Sequence, residues 1–272
     1  MDNRPIGIFD SGLGGLTLVA ALRQLMPEEN MIYLGDSARM PYGGRPRAEL
    51  LTIARQDIDF MLRQGAKMII AACGTISSNA PELLTGCSVP ALGVLEPGAK
   101  ALAAVKGSGP LGIAATPASI RSGAFRRELE RLCPGREILD LPCPDFTPLI
   151  ESGHVSAEDP LLRQAIEHSL APARAAGAAA LLLGCTHYGM IDQAISAYMG
   201  PDVSLVSASQ ESAKAACGLL RQLGMTGGEG NTLYYTSGSV ESFERGAEAL
   251  LGHSIEVRQA APMPTEKGSG ET

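Results

Sequence analysis

Short apolar runs alternate with helix-length stretches along this chain, and the alternation restarts after about a hundred residues. Residues 6–9, 31–34, 68–72 and 89–94 read as strands, with helices predicted over 17–26 and 48–64, closed by Pro27 and Gly65. Strand–helix–strand units of this length predict a mostly parallel sheet covered by helices on both faces, because a parallel pair needs a long crossover. The second half echoes the first. Leu111-Gly112-Ile113 repeats Ile6-Gly7-Ile8, and a helix over 121–132, a strand over 137–141, a helix over 161–175 and strands over 180–183 and 203–206 follow in turn. A further helix (210–223), strand (232–237) and helix (240–251) complete the pattern. The fold class expected is α/β, with two similar lobes, each a mostly parallel sheet flanked by helices, and a cleft between them. Residues 1–97 with 208–260 are expected to form the first lobe, 98–207 the second, and 261–272, rich in Pro, Gly and polar residues, a flexible tail.

Composition narrows the function. With 272 residues and 45% hydrophobic content the chain has ample material for a core, and 19% charged residues argues against disorder. A net charge of -7 gives no basic face to hold a nucleic acid, and none is expected as a partner. No apolar run approaches a membrane span, and no apolar signal-like segment follows Met1. The six cysteines are scattered, without a CxxC pair, so neither a metal centre nor a disulfide framework is expected. Cys133 and Cys143, ten apart and flanked by prolines, read as loop residues. Reduced thiols and a cytoplasmic location are the expectation.

Cys73 and Cys185 stand out. Each ends an apolar strand-like run and each is followed within two residues by a threonine: Met68-Ile69-Ile70-Ala71-Ala72-Cys73-Gly74-Thr75 and Ala180-Leu181-Leu182-Leu183-Gly184-Cys185-Thr186-His187. A single buried cysteine is more often a small hydrophobe than a reagent. Two in matched strand-end positions favour a site with one sulfur on each side, since strand C-termini of α/β sheets are where ligands bind. That arrangement suits a reaction that moves a proton between opposite faces of one carbon. His187, two residues beyond Cys185, is placed to act as acid, base or orienting partner. Asp10-Ser11-Gly12-Leu13-Gly14-Gly15 follows the first strand. Its glycines allow close backbone approach, and its acid and serine serve either a ligand or the cap of the next helix. The spacing is not that of a nucleotide-binding loop.

Taken together, four motifs are similar to those of glutamate racemases, in the aspartate/glutamate racemase superfamily: Asp-Ser-Gly-x-Gly-Gly at 10–15, Gly-Asp-x-Ala-Arg-x-Pro-Tyr-Gly at 35–43, Glu96-Pro97-Gly98, and Leu183-Gly184-Cys185-Thr186-His187-Tyr188. The resemblance spans roughly residues 6–252 and implies a cofactor-independent interconversion of L- and D-glutamate that supplies D-glutamate for peptidoglycan. It implies two lobes with pseudo-twofold symmetry, usually in a homodimer. By position, Cys73 would act on D-glutamate and Cys185 on L-glutamate, with Asp10 supporting Cys73, and His187 and Glu151 supporting Cys185. Ser11, Pro41, Tyr42, Gly43, Gly74, Thr75, Thr116, Ser119 and Thr186 would form the substrate site.

The chain departs from the family pattern at Gly74, where asparagine is usual, at Gly189-Met190, and at Ser207-Ala208-Ser209. Gly74 removes a side-chain amide and is expected to enlarge the pocket slightly. A racemase or isomerase of another small acid such as aspartate is therefore one alternative. A weakly catalytic binding or regulatory protein on the same scaffold is a second, and hydrolysis by a single nucleophilic cysteine a third.

Overall fold

A computed structural model describes residues 1–260, so the tail expected at 261–272 lies outside the described residues. Strands β1 (Ile6–Asp10), β2 (Met31–Gly35), β3 (Met68–Ala71) and β4 (Ala91–Gly93) form one sheet, and β5 (Leu111–Ala115), β6 (Ile138–Pro142), β7 (Ala180–Leu183) and β8 (Ser204–Ser207) form another. Strands β9 (Thr232–Thr236) and β10 (Val257–Gln259) return to extend the first, giving the order β10-β9-β2-β1-β3-β4 beside β6-β5-β7-β8. Neighbouring strands pair in parallel throughout. The short β10 carries no periodic signal in the sequence, and the sequence reading omits it.

The echo is a duplication at the level of hydrogen-bond register. Ile6 pairs with Met31 and Met68; Leu111 pairs with Ile138 and Ala180. Equivalent bonds cap the strand ends: Ala72 N–H donates to Phe9 O as Gly184 N–H donates to Ala114 O, and Asp36 N–H donates to Asp10 O as Cys143 N–H donates to Ala115 O. Cys73 lies five residues beyond Met68, and Cys185 five beyond Ala180, so the two cysteines occupy equivalent positions. The same count pairs Ser11 with Thr116 and Asp36 with Cys143.

In the first half, helices α1 (Leu16–Leu25), α2 (Arg47–Arg63), α3 (Gly74–Asn79), α4 (Pro81–Thr85) and α5 (Leu95–Ala103) connect the strands. In the second, α6 (Pro117–Ser122), α7 (Ala124–Leu132), α8 (Phe146–Glu151), α9 (Pro160–Ala175) and α10 (Asp192–Met199) do so, followed by α11 (Ala208–Gln222) and α12 (Val240–Leu251). The helix expected over 121–132 is two helices, because Gly123 takes φ 64, a left-handed conformation that ends α6 and starts α7. The lobe boundary expected at 97/98 falls inside α5. Pro97 occupies the first turn of α5, where a missing N–H leaves no intrahelical bond unmade.

Strand side chains alternate between two faces, and the alternation sorts the core. Ile6, Ile8, Met68 and Ile70 share one buried cluster with Leu111, Ile113, Ala180 and Leu182, joined by apolar residues of α1, α5, α7 and α11. The lobes are thus fused through a common interior. The opposite parity feeds two outer clusters, Phe9, Ile69, Ala71 and Cys73 in one and Ala114, Leu181, Leu183 and Cys185 in the other. Both cysteines sit on matching faces of matching strands.

Candidate active site

The C-terminal ends of β1, β3, β5 and β7 converge on a cavity of about 470 Å³. Cys73, Asp10, Ser11 and Thr75 line it from one lobe and Cys185, Thr186, His187 and Thr116 from the other, with the segment Met40–Gly44 and residues of α8 closing the sides. Glu151 and Arg121 stand at its rim. Hydroxyls lace the two lobes together: Thr75 Oγ1 lies 3.2 Å from Thr116 Oγ1, Ser78 Oγ donates to Ser119 Oγ at 3.1 Å, and Thr17 Oγ1 lies 3.5 Å from Thr186 O. The N-termini of α3 and α6 lie at this end of the sheets, where the helix dipole favours an anionic ligand.

The two thiols have different neighbours. Cys73 caps the start of α3 and is buried; burial pushes its thiol well up, and the charge of Asp10 pushes it further, against the pull of the Ile76 and Thr75 N–H groups. Asp10 is fully buried. Its Oδ2 accepts from Gly15 N–H at 2.8 Å and from Thr186 Oγ1 at 3.5 Å, while Oδ1 has no protein partner among the described residues. The acid therefore closes the turn before α1 and also presents a free oxygen, joining the two roles the sequence left open.

Cys185 Sγ lies 3.7 Å from His187 Nδ1, and His187 Nε2 lies 3.1 Å from Glu151 Oε1. Burial by itself would lower the imidazole; hydrogen bonding to Cys185 and Glu151, and the charges of Cys185 and Asp10, overcome it and hold His187 well above the ordinary histidine value. Gly14 makes room for this ring, since a Cβ there would fall 2.6 Å from His187 Nδ1 and 2.6 Å from Thr186 Oγ1.

Twelve of the fourteen residues expected at the site line the cavity; Gly74 and Ser119 do not. Gly74 leaves no extra space. A Cβ built on it lies 2.1 Å from Gly184 O and 3.7 Å from Cys185 Cα, so the place of a side chain is filled by backbone of the other lobe. The expected pocket enlargement is corrected accordingly. Ser119 stands behind Thr116, its hydroxyl taken up by Thr116 Oγ1 at 3.0 Å and by Ser78. Tyr42 reaches the cavity, but its hydroxyl donates to Asp36 and lies 3.3 Å from Asp57 Oδ2, in a buried group held by Arg39 at 2.6 and 2.8 Å from those two carboxylates. Burial and the Asp36 charge raise Asp57 well above the usual carboxylate range, with Arg39 opposing. This network fixes the loop that carries Pro41, Tyr42 and Gly43 against α2.

Cys143 and Thr147 are among the wall residues that escape the sequence reading. Cys143, read as a loop residue, is buried at the end of β6 and donates to Leu141 O at 3.3 Å. Thr147 lies 3.9 Å from Cys185 Sγ, and its place four residues before Glu151 on one helix is the signal that would have found it.

Fold and site define a two-lobed parallel α/β protein with a pair of thiols facing one enclosed cleft. The chain belongs to the Asp/Glu/Hydantoin racemase family, which matches residues 17–216. It is 38% identical to the glutamate racemase of Streptococcus gordonii over 94% of this chain and 98% of that protein. Among solved structures it is similar to glutamate racemase isoform RacE1 from Bacillus anthracis (30% identity, TM-score 0.90, 96% of this chain and 98% of that one). It is likewise similar to the glutamate racemase from Francisella tularensis in complex with D-glutamate (32%, TM-score 0.88, 96% and 98%).

Proposed function

We propose that this chain is an enzyme that interconverts L- and D-glutamate by a two-thiol proton transfer, supplying D-glutamate for peptidoglycan. The observation that carries the reading is the pairing of Cys73 and Cys185 at register-equivalent strand ends, on opposite lobes, facing one cavity. In this reading Cys185, as thiolate beside the His187 imidazolium, takes the α-proton of L-glutamate. The C–H electron pair stays on the α-carbon, and the Cys73 thiol returns a proton to the opposite face. D-glutamate runs the steps in reverse, with Asp10 supporting Cys73 and Glu151 holding His187. Ser11, Thr75, Thr116, Thr186 and the backbone around Pro41, Tyr42 and Gly43 receive the carboxylates and ammonium, and the helix N-termini favour the carboxylates. No cofactor enters the steps. A cytoplasmic homodimer belongs to the same proposal; among the described residues no helix is long and apolar enough to cross a membrane.

The test is α-proton exchange in deuterium oxide with each enantiomer of glutamate and of aspartate. Exchange and racemisation of glutamate are expected, and racemisation is expected to vanish in Cys73→Ala and in Cys185→Ala. Near-full activity of either single variant in both directions would sink the two-thiol reading. Faster turnover of aspartate than glutamate would move the substrate to the shorter acid.

A further inference from the structure

Helix α8 lays two polar side chains, Thr147 and Glu151, one turn apart along its cavity-facing side. Glu151 reaches Cys185 indirectly, through His187. Thr147 reaches it directly, Oγ1 to Sγ, at 3.9 Å. Cys73 has no comparable side-chain hydroxyl contact among the described residues; the hydrogen bonds that favour its thiolate come from the Ile76 and Thr75 backbone. The geometry points to Thr147 as a further residue of the reaction, whose hydroxyl hydrogen-bonds the Cys185 sulfur in both of its protonation states. This inference rests on the two-thiol reading of the site.

A hydroxyl suits the task because it both donates and accepts. Tyr188, whose own hydroxyl donates to Cys143 O at 3.1 Å, stands near Thr147. When Cys185 is a thiol, its S–H points to Thr147 Oγ1, and the Thr147 proton turns to the Tyr188 oxygen. When Cys185 is a thiolate, the Thr147 proton turns to sulfur, where the bond is charge-assisted and therefore stronger. The rotation moves one hydrogen and no heavy atom, so it can follow each turnover. A backbone N–H cannot reverse in this way, which separates the Cys185 side from the Cys73 side. The other titratable groups around Cys185 are His187 and Tyr188 on its own segment, Glu151 on α8, Cys143 at the end of β6, Cys73 at the end of β3 and Asp10 at the end of β1. Of these, Tyr188 alone loses a neighbouring hydroxyl when Thr147 is changed.

The experiment is iodoacetamide alkylation of the full-length protein as a function of pH, with Cys185 and Cys73 followed separately by peptide mass spectrometry. Thr147→Val, which keeps the shape and removes the hydroxyl, is expected to move the Cys185 midpoint up by about 0.5–1 pH unit, the difference between a charge-assisted hydrogen bond to the thiolate and a neutral one to the thiol. Thr147→Ala, which cannot overpack, is expected to do the same. Thr147→Ser is expected to restore the wild-type midpoint, and Cys73 to keep its own midpoint in all three. A Cys185 midpoint unmoved in Val and Ala, a serine variant that behaves like valine, or an equal shift of both cysteines would overturn the assignment. The readout needs no substrate, so it fails or succeeds separately from proton exchange by the wild-type protein, which tests the racemase reading.

Discussion

Gly74 is the position where the structure and the family pattern pull in opposite directions. Asparagine is the residue the resemblance expects, yet a Cβ at 74 would lie 2.1 Å from the carbonyl oxygen of Gly184. A carbon and a carbonyl oxygen settle at about 3.2 Å or more, so Gly74→Ala requires roughly 1 Å of separation between the strand ends that carry the two thiols. The obstructing atom is backbone, hydrogen-bonded within β7's continuation through Gly184 N–H to Ala114 O, and cannot swing aside as a side chain would. Overpacking of this kind destabilises by about 1–3 kcal/mol, which lowers the melting temperature by about 2–4 °C per kcal/mol in a chain of this size. A displacement of about 1 Å between acid and base costs on the order of a hundredfold in rate. Racemisation followed by circular dichroism in both directions, together with thermal denaturation, measures both effects. Gly184→Ala is the control: its Cβ would meet Ala114 O and Ala115 Cβ at 3.2 Å, contacts that small shifts relieve. It should lose far less. Gly74→Asn should fare no better than alanine. Wild-type kcat and melting temperature in Gly74→Ala, or improved glutamate binding in Gly74→Asn, would refute the argument and restore the view of Gly74 as a vacated ligand position.

Cys143 faces the cavity, but burial, its first and largest influence, pushes the thiol well up and keeps it neutral; Cys143→Ala should retain racemisation within about threefold, measured by the same assay. Because His187 is raised above its unfolded value, its charge contributes stability in full below about pH 6.5, and that contribution is lost as pH rises through the raised value. In Glu151→Gln, which removes one of the groups holding the proton, melting temperature against pH should show a smaller loss that begins at the same pH and is complete at lower pH. Tyr42→Phe should lower stability by about 1–3 kcal/mol in urea titration, because it leaves Asp36 and Asp57 short of a donor, while the KM for glutamate changes less than about threefold. A larger rise in KM would return the hydroxyl to the substrate.

Much of this was legible in the residues. Alternation of apolar runs with helix-length segments specifies parallel strands, and the repeat of Ile6-Gly7-Ile8 by Leu111-Gly112-Ile113 is a repeat of register. Cys73 and Cys185 were visible as a pair because each closes such a run. What stayed hidden depends on contacts between distant segments. Helix α5 has no counterpart in the sequence reading, which takes Glu96-Pro97-Gly98 only as a motif. Cys143 reads as a loop residue because prolines flank it, although it directly follows the strand expected over 137–141. The commitment of the Tyr42 hydroxyl to Asp36 and Asp57 joins a loop to α2 and has no local signature. The carbonyl of Gly184 beside Gly74 spans 110 positions, and only the folded chain brings the two together.

The duplicated register gives both lobes the same backbone frame, but the frames carry different side chains, Asp10 beside one thiol and His187 with Glu151 beside the other. Enantiomers have identical free energies in water, so the equilibrium constant for their exchange is one. The ratio kcat/KM must then be equal in the two directions, in this protein and in every variant of it. Lobe-specific differences are therefore confined to kcat and KM taken singly, where a gain in one is matched by a proportional change in the other. A substitution on one lobe alters which enantiomer occupies the protein during turnover, and leaves the final mixture untouched.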